Sequence, residues 1–273
     1  KEFLEKNDFD INLKKLDYSK SAYLINGKTG LYVKHSSARL SPWNFGFRGM
    51  DYLVLSEIQN ISKCNYMFEY GVHNGDDKLL DFLEDNVTNE VLFGGAAGGG
   101  KSILGCYWQI KQRLKYPNTR GLIGRAVLKT LKETTLVSLF QVAKMQGLES
   151  GVHYRFNAQM SQIEFINGST ILLKDLYSYP SDPNFDELGS LEITDAFIDE
   201  ANQVEDKARN IIKSRIRFNL DDNNLVPKIL YTCNPAKNWT YSEFYKPQQD
   251  GSIAHNKRFI ASLIDDNPFI SKH

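Results

Sequence analysis

A chain of 273 residues, 41% apolar and 24% charged, is long enough to bury a full core and has the composition of an ordinary globular protein. Its 33 basic and 33 acidic residues cancel, which excludes a protein that works through a global basic field. Cys64, Cys106 and Cys233 are scattered without C-x-x-C or metal-ligand spacing, and no apolar run approaches the roughly 18 residues that cross a bilayer. A soluble, intracellular protein with reduced thiols is expected. The chain begins at Lys1 with no signal-peptide pattern, and is read as a fragment, a processed product or an engineered form.

Residues 1–70 mix Lys, Asp, Asn and Tyr with short apolar clusters and turn-like Asn26-Gly27, and form an unassigned extension or small lobe. Its aromatic patch, SPWNFGFRG at 41–49 beside Arg39, is read as turn packing rather than base stacking. Residues 76–86 suggest a short amphipathic helix and 91–93 a buried strand. A helix follows from 103 to 114, then a strand at 121–124 ending at Arg125, and a long helix from 128 to 145 closed by Gly147. Residues 162–174 are two apolar runs joined by Asn167-Gly168, the signature of a β-hairpin. Further strands are expected at 193–198, 228–232 and 258–263, with a helix over 203–215. Strands alternating with helices imply an α/β fold, a mostly parallel sheet with helices on both faces. The core is placed at 71–264.

Two charge blocks stand out. Residues 101–132 carry eight Lys or Arg and no acid, and residues 175–206 carry ten acids and no base. Each reads first as a solvated face.

The stretch GGAAGGGKS at 94–102 follows an apolar strand and precedes a helix, the context of a phosphate-binding loop. Such a loop needs glycines so that backbone N–H groups turn inward at the phosphates, next to a helix N-terminus of partial positive charge. Gly95, Ala96, Ala97, Gly98, Gly99 and Gly100 form the cradle, Lys101 reaches the outer phosphates, and Ser102 ligates magnesium. The strand at 193–198 then delivers Asp199 and Glu200 to the sheet edge where open α/β sheets bind ligands. Asp199 would share magnesium with Ser102, and Glu200 would take a proton from the attacking water. The strand at 228–232 leads into Thr232-Cys233-Asn234-Pro235, where Thr232 or Asn234 can contact the terminal phosphate.

These motifs, in this order, resemble the N-terminal ATPase domain of the large terminase subunit of tailed bacteriophages. The resemblance rests on GGAAGGGKS, INGSTILL at 166–173, FIDEANQ at 197–203, SRIRF at 214–218, TCNP at 232–235 and DDNPFI at 265–270. It implies a P-loop NTPase of the additional-strand, catalytic-glutamate type that binds ATP and Mg2+. It also implies a homo-oligomeric ring on the portal protein, with the small terminase subunit as a further partner, driving double-stranded DNA into a procapsid in the cytoplasm of the infected bacterial host. Residues 265–273 would begin the linker toward a nuclease domain that this stretch lacks, so nuclease activity is not expected. By the same resemblance Thr232-Cys233-Asn234 couples hydrolysis to movement.

Two departures matter. Ala96 and Ala97 stand where many relatives carry an arginine, and residues 175–206 hold no base where some relatives place one a few residues before the Asp-Glu pair. The finger arginine is therefore sought at Arg125, Arg215 or Arg217, each of which can equally serve a salt bridge. Other readings are a helicase or recombinase-like ATPase, which would prefer single strands, and a nucleotide-gated assembly module, for which Glu200 would be dispensable. A P-loop kinase is disfavoured by Glu200 and TCNP.

Overall fold

Successive side chains of the central strands are apolar on both sides, and a strand buried on both faces needs a helical layer above and below it. The computed structural model describes residues 23–25, 32–34, 79–95 and 98–262. A two-stranded antiparallel ribbon pairs β1 (Tyr23–Ile25) with β2 (Tyr32–Lys34). The main body then runs α1 (Leu79–Glu84), β3 (Glu90–Gly95), α2 (Lys101–Lys115), β4 (Arg120–Arg125), α3 (Leu128–Glu133) and α4 (Thr135–Met145). It continues with β5 (Tyr154–Asn157), β6 (Gln162–Phe165), β7 (Thr170–Asp175), α5 (Asp186–Gly189), β8 (Asp195–Ile198) and α6 (Asp206–Arg215). The last described elements are β9 (Lys228–Cys233), α7 (Lys246–Gln249) and β10 (Lys257–Ser262).

Eight strands lie in the order β10-β3-β9-β8-β4-β7-β6-β5. The six from β10 to β7 are parallel, while β5 and β6 extend the edge antiparallel. β9 stands between β3, which feeds the glycine loop, and β8, which feeds the Asp-Glu pair. This inserted strand is the additional strand of the fold expected from the sequence. Alternation divides the sheet between two cores. Val91, Phe93, Ile123, Phe197 and Leu230 meet α2 and α4 on one face. Leu92, Leu122, Ile198 and Tyr231 meet α6 and Phe244 on the other. Where α2 crosses β8, a Cβ on Gly105 would lie 2.2 Å from the Phe197 ring, so only glycine permits this approach.

The hairpin forms as expected, with Gly168 at φ 83° in its turn. The expected long helix does not stay whole. It breaks at Thr134 (φ −124°, ψ −70°) into α3 and α4, because the Thr134 hydroxyl donates back to the Thr130 carbonyl (2.8 Å) and also accepts from Arg125 Nη1 (2.6 Å). The helix expected from 203 starts only at Asp206, after a single tight turn over Ala201–Gln203. β5, α5 and the π-helical turn Tyr241–Tyr245 are additions to the elements read from the sequence. The aromatic patch at 41–49 and DDNPFI at 265–270 lie outside the described residues.

The charge blocks disperse. Arg113 is fully buried and ion-paired with Asp195, whose other oxygen accepts from Gln109 Nε2 (2.7 Å). Lys111 pairs with Glu84, Lys129 with Glu133, and Arg120 lies over the Phe218 ring. The basic run is thus not one DNA-facing surface.

Candidate nucleotide site

β3 is buried up to Gly94 and opens at Gly95 into the loop before α2. Gly95, Gly98 and Gly100 have φ of 151°, 85° and 77°, conformations that L side chains rarely adopt. A Cβ on Gly95 would lie 2.0 Å from the Ser262 carbonyl oxygen, so the adjacent strand β10 also demands glycine there. At Gly100 no atom crowds the position, and the left-handed backbone alone is the reason. The Gly99 carbonyl accepts from Ser262 Oγ (3.3 Å). Ala96 and Ala97 lie outside the described residues. α2 begins without a side-chain cap or a first-turn acid, so its N-terminal partial charge is uncompensated from within the helix.

Lys101 opens that helix and is 8% exposed. Its Nζ donates to the Gly95 carbonyl (3.1 Å) and to Asn234 Oδ1 (3.3 Å), bridging the loop to the end of β9. Burial pulls its ammonium group below the usual lysine range, against the opposing charges of Glu200 and Asp199.

Asp199 sits 2% exposed at the end of β8, where its N–H donates to the Gly124 carbonyl (2.9 Å). Oδ1 accepts from Ser102 Oγ (3.0 Å) and Thr232 Oγ1 (2.7 Å). Oδ2 accepts from Thr135 Oγ1 (2.7 Å) and lies 3.6 Å from Arg125 Nη1. A buried carboxylate ringed by hydroxyls offers a cation one negative charge and several oxygens, with the Arg125 guanidinium already offsetting part of that charge. Its donors are all oxygens, which suits a hard cation. Among the described residues no group of three or more His, Cys, Asp or Glu forms a metal cage. A cation here would therefore rely on one carboxylate, hydroxyls and ligand phosphates, the habit of magnesium.

Glu200 follows in the left-handed region (φ 51°, ψ 46°), which turns its side chain out of the strand direction. It is half-buried, and among the described residues its carboxylate accepts no hydrogen bond. Burial lifts the Cys233 thiol to about 11, helped by Glu200 and countered by Thr240 and Lys101, so it stays neutral.

Gly95, Lys101, Ser102, Arg125, Asp199, Glu200, Thr232 and Asn234 thus gather at the C-terminal edge of the parallel strands. Arg215 and Arg217 do not join them. They flank Ile216, which bridges Ile193 ahead of β8, at the opposite edge and roughly 20 Å from Asp199 at the rise of a strand. Arg215 donates to the Gly189 carbonyl (2.9 Å), and Arg217 pairs with Glu192 (3.1 Å). Sequence reasoning passes over Thr135, which it leaves in the middle of a helix. The adjacent threonines, 134 and 135, are a helix-start signal that could have revealed it.

Known structures share this architecture. The large terminase from a thermophilic bacteriophage matches with a TM-score of 0.55 at 16% identity, covering 73% of this chain and 48% of that one. The same terminase in complex with ATP-gamma-S matches with a TM-score of 0.55 at 14% identity, covering 71% and 46%. At such identity the likeness shows the fold, that of a P-loop NTPase, and the chain spans about half the length of those terminases. A comparison with curated proteins finds no match. A family model described as phage terminase large subunit matches residues 86–273, the greater part of the sequence, and the chain therefore belongs to the phage terminase large subunit family.

Proposed function

We propose that this chain binds ATP with Mg2+ and hydrolyses it, as the ATPase core of a motor that translocates double-stranded viral DNA into a procapsid. The observation that carries the reading is the meeting of Ser102 and Asp199 at 3.0 Å, across the inserted strand β9, with Glu200 beside them. Glycine conformations, the uncapped start of α2 and the buried Lys101 support phosphate binding at the same edge. The thermophilic phage terminase has been solved with ADP and with ATP-gamma-S, which supports ATP as the nucleotide.

Lys101 exchanges its contacts with Gly95 and Asn234 for phosphate oxygens, which frees Asn234 to respond to the nucleotide. Ser102 and Asp199 would hold magnesium, which when bound offsets phosphate charge and polarises the terminal phosphoryl group. Glu200 accepts a proton from water as its oxygen attacks the terminal phosphorus. The bond from that phosphorus to the bridging oxygen breaks, leaving ADP and phosphate. Thr232, on Asp199 and next to Asn234, links this edge to β9, the route by which hydrolysis would reach the rest of the molecule. Among the described residues Arg125 is the arginine that reaches the reacting centre within one chain. Arg215 or Arg217 would act only on a neighbour's nucleotide, in a homo-oligomeric ring. Residues 71–264 form the catalytic core in this reading, 1–70 an appendage, and 265–273 the start of a linker. Portal protein, small terminase subunit and DNA are its partners, in the cytoplasm of the infected host.

The test is ATP turnover against protein concentration, with and without double-stranded DNA, with Lys101→Ala as the blank. A per-subunit rate that rises with concentration or DNA supports a ring motor. ATP binding with a rate no better than the blank under every condition would overturn hydrolysis as the function.

A further inference from the structure

Three hydroxyls converge on the Asp199 carboxylate from three different elements. Ser102 of α2 and Thr232 of β9 both donate to Oδ1, whereas Thr135 of α4 donates to Oδ2 at 2.7 Å. Arg125 Nη1, at 3.6 Å from the same Oδ2, is too far for a hydrogen bond. Thr135 is 1% exposed and is the first residue of α4, so the break in the helix at Thr134 is what presents it to the carboxylate. The two neighbouring threonines divide the work. Thr134 Oγ1 holds the Arg125 guanidinium at 2.6 Å, and Thr135 Oγ1 holds Asp199, so consecutive residues hold the two members of the 3.6 Å Arg125–Asp199 ion pair short of a direct hydrogen bond.

We infer that Thr135 is a positioning residue for the metal aspartate. By holding Oδ2, its hydroxyl keeps Oδ1 turned toward Ser102 and keeps the carboxylate from rotating onto Arg125. This rests on the reading of Asp199 as a magnesium ligand. A β-branched side chain on a helix has one or two allowed χ1 rotamers, which makes threonine a stiffer strut than a longer polar residue. Outer partners of this kind orient a ligand without touching the metal, and their loss typically weakens metal affinity by about 10- to 100-fold.

The experiment titrates Mn2+ in place of Mg2+, following free Mn2+ by electron paramagnetic resonance, with a non-hydrolysable ATP analogue present. No turnover enters the readout. Thr135→Val is expected to weaken Mn2+ binding about 10-fold or more, while analogue affinity in EDTA, which depends on Lys101 and the loop, stays within about two-fold and certifies the fold. Thr135→Ala repeats the test without placing a methyl group against the carboxylate. Thr135→Ser keeps the hydroxyl and should bind Mn2+ as the wild type does. Adding Arg125→Gln to Thr135→Val should recover part of the affinity, since the competing guanidinium is gone. Wild-type Mn2+ affinity in both the valine and alanine variants, or a serine variant as weak as the valine one, overturns the role of Thr135. A distinct failure belongs to the underlying reading. If Asp199→Asn binds Mn2+ as tightly as the wild type, Asp199 is not the metal aspartate and the role of Thr135 falls with it.

Discussion

Replacing Glu200 with glutamine separates chemistry from binding at this site. The change removes a proton acceptor and one negative charge while keeping the size of the side chain. General-base catalysis contributes roughly 10²–10⁴ in rate, or about 2.7–5.5 kcal/mol of barrier. Single-turnover hydrolysis at saturating ATP should fall by that factor, measured at the protein concentration that gives the fastest wild-type rate. Affinity for ATP should hold or rise several-fold, because the Glu200 carboxylate would repel incoming phosphates. Stability should change little. Among the described residues the carboxylate accepts no hydrogen bond, and the cost of the left-handed backbone at φ 51° is shared by glutamine. A shift in Tm beyond roughly 2 °C would exceed the ±0.5 kcal/mol expected of such a site. Glu200→Gly, by contrast, should raise stability by about 1 kcal/mol as the backbone strain is relieved. Wild-type turnover in Glu200→Gln would refute the base assignment, and so would a loss of rate that tracks a loss of ATP binding.

Arg113→Met leaves Asp195 buried without its ion pair and should cost about 3–5 kcal/mol in denaturant unfolding; an unchanged midpoint would show the pair to be dispensable. Gly105→Ala drives a methyl group into the Phe197 ring at 2.2 Å and should destabilise by about 1–3 kcal/mol. Because it parts α2 from β8, it should also weaken ATP binding, and intact affinity would argue against the rigid coupling of the two elements. Arg215→Ala and Arg217→Ala should leave the ATP affinity of the isolated chain unchanged, since both side chains are held at the far sheet edge; a weakened monomer would contradict that placement. The acid limb tests Glu243. Burial raises its pKa, but hydrogen bonds from Arg209 and Lys257 prevail and bring it from 4.5 to about 2. A depressed carboxyl contributes its stability above pH 4.5 and loses it as pH falls toward 2. Urea unfolding of Glu243→Gln should therefore lie roughly 1–2 kcal/mol below wild type at pH 7, allowing for solvent screening, with the gap narrowing between about pH 4.5 and 2. A gap that does not vary with pH would remove the ionised carboxyl as its cause.

Local signals carried much of this protein. The glycines, Lys101 and Ser102 are contiguous, so the loop and the start of α2 could be read from nine residues. Asp199 and Glu200 close an apolar strand, and Asn167-Gly168 names its own turn, because each depends on backbone geometry within a few positions. The family resemblance lay in the same short segments. The tertiary structure decided what distant residues do to one another. That Arg113 belongs to the core follows only from Asp195, 82 residues further on. The eight bases of residues 101–132 look like one surface in sequence, yet two helices and a strand point them to the core, the phosphate loop, Asp199 and solvent. Arg215 and Arg217 follow the Asp-Glu pair closely in sequence but lie at the other end of the sheet, because α6 carries the chain back along the length of β8. Thr135 shows the difference most directly. Its place on a helix was legible, but the break at Thr134 that sets its hydroxyl on Asp199 depends on one side chain donating to the Thr130 carbonyl while accepting from Arg125. No spacing encodes that pair of bonds, since Arg125 comes within hydrogen-bond reach of Thr134 only when the end of β4 is packed beside the helix.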